Sequence, residues 1–170
     1  MKKILFLLFA MVLIGCDSPN GLDCFQSAGD LVQEEYEVDV FNKIQVWERV
    51  QLFISQGPVQ SVRVETGDNL INEVFVRVKD SVLTVSDRNS CNFVRDYSVT
   101  KVYVTSPNIE EIRNSSGHTV ESEGVLGFNE LDLISQDPLL DGLYHMDGDF
   151  NLDLDVATLR IRANGLSKFY

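Results

Sequence analysis

Ile109-Glu110-Glu111-Ile112-Arg113-Asn114, Leu131-Asp132-Leu133-Ile134-Ser135-Gln136 and Leu159-Arg160-Ile161-Arg162-Ala163-Asn164 decide how this chain folds. Each places apolar residues ahead of a polar amide or turn, and their starts lie 22 and 28 residues apart. Self-similar segments at such intervals mark repeated coils, each burying one face against the next. Phe150-Asn151-Leu152-Asp153-Leu154-Asp155-Val156 alternates between the last two, with apolar residues on one face and polar ones on the other. A strand of that kind needs a second sheet beside it.

Upstream, the same alternation runs through Ile44-Gln45-Val46, Val50 to Ile54, Val62 to Glu65, Val74 to Val78, Val82 to Val85 and Val99 to Val104. Turn-forming residues separate these runs at Gln56-Gly57-Pro58, Thr66-Gly67-Asp68-Asn69, Lys79-Asp80-Ser81 and Ser106-Pro107-Asn108. No stretch has a helical period, although Leu70 to Val74 suits one short turn. The reading is an all-β fold, an antiparallel meander leading into a β-solenoid or β-helix-like stack. A two-sheet β-sandwich is the alternative.

The N-terminus has a different logic. Met1-Lys2-Lys3, an apolar run from Ile4 to Ile14 and then Gly15-Cys16 give the charged, apolar and small-residue order of a secretory signal, too short to span a bilayer. Leu13-Ile14-Gly15-Cys16 resembles the lipobox of bacterial lipoproteins, in which the cysteine is acylated and becomes the first residue. The expected organisation is a signal peptide over 1–15, a lipidated Cys16 with a tether over 16–35, and one domain over 36–170. Each buried acyl methylene contributes about 0.8 kcal/mol, so the protein is expected with membranes. The chain stops on Leu166-Ser167-Lys168-Phe169-Tyr170, a fresh alternating strand, and is expected to be truncated at that end.

Charge narrows the partners. The 170 residues carry a formal charge of −12, which becomes −14 once Lys2 and Lys3 leave with the signal, and there is no basic block. Nucleic acid is excluded as a partner, because affinity there rests on neutralising phosphates. Beyond Cys16, two cysteines remain, Cys24 and Cys91, and in an exported chain such a pair is expected to form a disulfide. Closing so long a loop is worth about 4 kcal/mol in the chain-entropy model. A metal or redox pair would need the close Cys-x-x-Cys spacing that is missing here.

Catalytic signals are sparse. The histidines are His118 and His145, neither in a recognisable nucleophile or metal motif, and both suit loop or structural roles. Asp137, Asp141, Asp147, Asp149, Asp153 and Asp155 invite calcium binding or paired-carboxylate glycoside hydrolysis. Asp147-Gly148-Asp149 lacks the continuing acidic series of a calcium loop, so a solvated acidic face is expected. No catalytic residue, metal site or cofactor is assigned. Trp47, Tyr97, Tyr103, Tyr144 and Tyr170 are scattered, as strand packing would leave them. Asp80-Ser81-Val82 resembles the Asp-Ser/Thr-apolar acceptor of O-glycosylation in Bacteroidetes.

Several stretches together carry a wider resemblance: Asp23 to Gly29, Phe41-Asn42-Lys43-Ile44, Val50 to Gly57, Val62 to Glu65, Asn69-Leu70-Ile71, Leu83-Thr84-Val85, Cys91 to Arg95 and Asn164 to Ser167. In this order they resemble the autotransporter-adhesin head GIN domain family of Bacteroidetes lipoproteins. The resemblance implies strand pairs passing into a right-handed solenoid-like stack, without cofactor or catalytic site. The chain departs from it at Asn114-Ser115-Ser116-Gly117 and Ser135-Gln136-Asp137-Pro138, where such coils often carry Ser-Gly-Ser-Gly turns. The expected function is that of a lipid-anchored envelope protein, non-catalytic, binding a glycan or protein ligand. Asp17 resembles the inner-membrane retention signal of enteric bacteria, but that rule fails in other phyla and does not fix the membrane or leaflet; the expected place is the cell envelope, the outer membrane or cell surface ahead of the inner membrane. The alternatives are a carbohydrate-active β-helix enzyme using Asp153 and Asp155, and a structural or regulatory component binding another envelope protein.

Overall fold

The computed structural model describes residues 27–47, 49–89, 100–135, 148–163 and 166–170. Twelve strands are found among them: β1 (Leu31–Tyr36), β2 (Lys43–Trp47), β3 (Val50–Gln56), β4 (Ser61–Gly67), β5 (Val74–Lys79), β6 (Val82–Asp87), β7 (Thr100–Ser106), β8 (Glu111–Ser115), β9 (Val120–Ser122), β10 (Glu130–Ser135), β11 (Phe150–Asn151) and β12 (Thr158–Ala163). The short turn expected near Leu70 is a 3-10 helix over Ile71–Glu73.

The strands form two mixed sheets, ordered β1-β4-β7-β3-β9-β11 in sheet I and β12-β10-β8-β2-β6-β5 in sheet II. In sheet I the β7, β3, β9 and β11 strands run parallel, and in sheet II so do β12, β10, β8, β2 and β6. Antiparallel pairing is confined to β1 with β4, β4 with β7, and β5 with β6. From β6 to β12, consecutive strands alternate between the sheets.

This corrects the expected meander. A meander pairs each strand with the next, and here only β5 and β6 do so. The physical reason sits at the corners. Between β2 and β3 the chain bends through Arg49, whose φ is 65°, and its N–H donates to the Ser116 carbonyl at 3.1 Å. That bend carries the chain from sheet II into sheet I, where a hairpin would have kept it in one sheet. β1 begins at Leu31 and pairs along its length with β4.

Period-two alternation sends one side of most strands into the space between the sheets, whereas all six residues of β12, at the edge of sheet II, are exposed. Ile44, Val46, Leu52, Ile54, Val62, Val64, Leu83, Val85, Val102, Val104, Ile112, Leu131 and Leu133 fill it, with Phe41, Phe128 and Phe150 as the bulkiest members. Most are β-branched or leucine, the residues that suit a pleated half-buried surface. Parallel sheets are usually covered on both faces by helices. Here the opposite sheet covers one face, and the outer faces are polar.

Among the described residues, several polar side chains that enter the interior at the corners are paired there. Asn114 is fully buried and its Nδ2 donates to the carbonyls of His118 (2.8 Å) and Asp149 (2.9 Å). Its Oδ1 accepts from the Ser116 amide and hydroxyl. Ser135, beside it, donates to the Gly148 carbonyl at 3.0 Å. Gly148 is required here, because a Cβ at that position would run into the Asn114 amide. At the other end, buried Asp87 accepts from Asn89 and from Thr100 Oγ1 (2.7 Å), which also contacts Thr66 Oγ1 at 2.9 Å.

Two stability measurements follow from this packing. Ile112→Ala should lower unfolding free energy in urea by about 3 kcal/mol through lost burial and a cavity, whereas exposed Val59→Ala should change it by no more than about 0.5 kcal/mol. Asp80 and Ser81 form the two-residue β5–β6 turn with φ of 51° and 61°. Both values demand a left-handed backbone, which suits glycine and is unfavourable for serine. Ser81→Gly should therefore raise stability by about 0.5–1 kcal/mol in protein made in a heterologous cytoplasm, despite the greater unfolded-state entropy of glycine.

Candidate binding face

The outer face of sheet II carries a row of charges fixed by strand register. Lys43 lies opposite Glu111, Glu111 opposite Asp132, and Asp132 opposite Arg160, across β2, β8, β10 and β12. These side chains point outward because Ile44, Ile112, Leu131 and Leu133 point in. Arg160 Nε donates to Asp132 Oδ1 at 2.7 Å and its Nη2 to Glu130 Oε2 at 2.6 Å. Arg162 Nη2 reaches Asp132 Oδ2 at 3.2 Å and Glu111 Oε2 at 3.6 Å, and Lys43 Nζ lies 4.0 Å from Glu111 Oε2. The Glu130 and Asp132 carboxylates push the Arg160 pKa further upward, so it stays charged.

Exposed ion pairs of this kind contribute little to folding. Their consequence is positional, because each long side chain is held by a neighbour on the next strand. The row borders an open groove of about 360 Å³ lined also by Asn108, Glu110 and Asn129. Carboxylates, a guanidinium, an ammonium and two amides converge there. Such a set offers both donors and acceptors at fixed spacing, which fits a polar ligand rich in hydroxyl or amide groups. It supplies no nucleophile with an adjacent base.

The outer face of sheet I differs. Phe53 and Tyr103 stack with centroids 5.1 Å apart and planes at 17°, and the Arg63 guanidinium lies 4.8 Å from the Tyr103 centroid. Tyr103 thus has both faces taken, so this pair is cross-strand packing and not an open stacking platform. Around it Gln51 donates to Glu121 at 2.9 Å and Lys101 pairs with Glu65 at 3.4 Å. Gln33 donates to the same Glu65 carboxylate, and this bond leads the lowering of its pKa.

The residues singled out by sequence scatter. Cys16, Cys24, Cys91, His145, Asp137, Asp141 and Asp147 lie outside the described residues. Asp149 accepts from the Lys168 amide at 2.9 Å, a structural contact. Asp153 and Asp155 are exposed in the segment between β11 and β12, and neither borders the groove of sheet II. His118 is partly buried, which lowers its pKa, and its carbonyl serves the Asn114 corner. Sequence reasoning missed Lys43, Glu111, Asp132 and Arg160 because they meet only through register. The three quoted segments contained most of the signal: the 28-residue spacing of Leu131 and Leu159 is the observed register, and only the first spacing is one residue off. The observed pairing of Glu111 with Asp132 is a spacing of 21, not 22.

No curated protein matches this sequence. Among solved structures, it is similar to a "putative adhesin" from Bacteroides fragilis, with TM-score 0.70 and 22% identity, covering 84% of this chain and 63% of that one. A "putative adhesin" from Parabacteroides merdae gives TM-score 0.64 at 17% identity, covering 84% and 57%. A "putative lipid binding protein" from Parabacteroides distasonis gives 0.56 at 13%, covering 76% and 52%. The chain therefore spans about three fifths of the length of the first two, and at these identities the likeness is one of fold. Residues 40–170 match the family described as "Putative auto-transporter adhesin, head GIN domain", and the chain belongs to that family.

Proposed function

We propose that this is a lipid-anchored envelope protein whose non-catalytic β-domain serves adhesion-like binding, with the outer face of sheet II as its contact surface. The carrying observation is the Lys43-Glu111-Asp132-Arg160 row, held by ion pairs across four strands and bordering a polar groove. A rigid polar ladder binds with little ordering cost, because its side chains are already placed. Family membership supports the adhesin-like role, since the family is described in those terms. The ligand class that suits the groove is a glycan or a polar protein segment.

The alternation of consecutive strands between two sheets supports reading the body as a right-handed solenoid, in which each coil stacks on the last. Lipid on Cys16 would tether it, and the Leu13-Ile14-Gly15-Cys16 stretch supports that anchor. Cys24 and Cys91 are the proposed disulfide. An outer-membrane or cell-surface position suits an adhesion role better than the inner membrane does.

Two measurements test this reading. On an array of glycans and matrix proteins, the protein from Asp17 onward should give a saturable hit. Arg160→Ala with Arg162→Ala should weaken that hit about tenfold or more, the loss of one charge-assisted contact of about 1.5–3 kcal/mol. An unchanged affinity in this double variant rules out sheet II as the contact face. Separately, Cys16→Ala should move the protein from the membrane fraction to the soluble one; retention on membranes would refute the lipid anchor.

A further inference from the structure

We propose that Ser81 is an O-glycosylation site, its hydroxyl being the acceptor for an envelope glycan. The sequence Asp80-Ser81-Val82 stands at the tip of the β5–β6 hairpin, where Lys79 pairs with Val82 and only Asp80 and Ser81 form the loop. Both loop residues are exposed, and β5 is the edge strand of sheet II, so the tip is open to a large transferase.

The turn presents the hydroxyl in a fixed position. The Ser81 carbonyl accepts from the Asn42 and Lys43 amides at 3.1 and 3.2 Å, which ties the hairpin tip to the start of β2. Among the described residues the Ser81 side chain makes no hydrogen bond, so its oxygen is not committed to the fold. Both loop residues also have positive φ, at 51° and 61°. Turns of this type favour Asn-Gly or Asp-Gly, and a serine here is the less favourable choice for folding alone. A residue at odds with its local backbone preference points to a role outside the fold. Asp80 on one side and Val82 on the other complete an acidic, hydroxyl and apolar order that a transferase can read as a short peptide.

The step balances with a polyprenyl-diphosphate-linked sugar as donor. Ser81 Oγ attacks the anomeric carbon and the Oγ–C1 bond forms as the C1–O bond to diphosphate breaks. The lipid diphosphate leaves with the electron pair, and the hydroxyl proton passes to a base of the transferase. A glycan at this place would shield the β5 edge, which has no strand beyond it among the described residues.

The test uses the full chain, signal included, produced in Bacteroides fragilis and digested with trypsin. Cleavage after Lys79 and Arg88 frees the segment Asp80 to Arg88, which holds Ser81, Thr84 and Ser86. Mass spectrometry should find this peptide bearing sugar, with fragmentation placing it on Ser81. Ser81→Gly and Asp80→Asn should both lose the modification while their thermal midpoints are kept or raised, because glycine and asparagine are preferred in this turn. The proposal is overturned by an unmodified peptide, by sugar that persists in Ser81→Gly or sits on Thr84 or Ser86, or by phosphate in place of sugar.

Discussion

Most of the described strands are apolar on one side, and the whole arrangement depends on bringing two such sides together. A single sheet of these strands would leave Ile44, Leu52, Leu83, Val102 and Ile112 in water. Closing two sheets on one another removes them, at about 25 cal/mol for each Å² of apolar surface covered. The corners follow from this. A chain that must supply strands to both sheets has to bend sharply and often, and the bends are where Arg49, Asn114, Ser116 and Ser135 are found. At these corners the backbone groups that no regular ladder reaches are satisfied individually, by the Asn114 side chain at one and by the Arg49 N–H to Ser116 carbonyl bond at another.

The same constraint builds the outer surface. Parallel neighbours in register bring side chains from distant parts of the sequence into rows about one strand spacing apart. In sheet II the rows hold opposite charges, and in sheet I they hold a stacked aromatic pair with an arginine over it. Both are means of ordering long side chains on an exposed face. Only the first leaves polar groups converging on open space. The fold by itself does not select a ligand. The Parabacteroides distasonis relative of similar fold carries a lipid-binding description where the others carry an adhesin one. In this architecture the outward residues are the ones left to meet a ligand, because the inward ones hold the sheets.

Much of the fold was legible in advance. Alternation located ten of the twelve strands to within a few residues, from Ile44-Gln45-Val46 for β2 to Leu159-Arg160-Ile161 for β12. β1 was missed because Leu31-Val32-Gln33-Glu34-Glu35-Tyr36 is an edge strand with most of its side chains in solvent, so its pattern is mainly polar. β9 is three residues long and carries too little pattern to find. The meander was misread for a different reason. Period-two alternation fixes which side of a strand is buried but says nothing about which strand lies next to it.

What the sequence alone determined is the class of structure: strands, their inward and outward residues, the turns that separate them and the repeat that stacks β8, β10 and β12. These are local properties, set by side-chain periodicity and by residues that accept turn geometry. What only the tertiary structure decided is neighbourhood. The order of strands, the 21-residue register of Glu111 with Asp132 and the convergence of Lys43 with Arg160 arise from pairings between segments far apart in the chain. A one-residue slip in such a pairing would turn each charge of the row into the core, so the candidate face exists only once the whole set of sheets has closed.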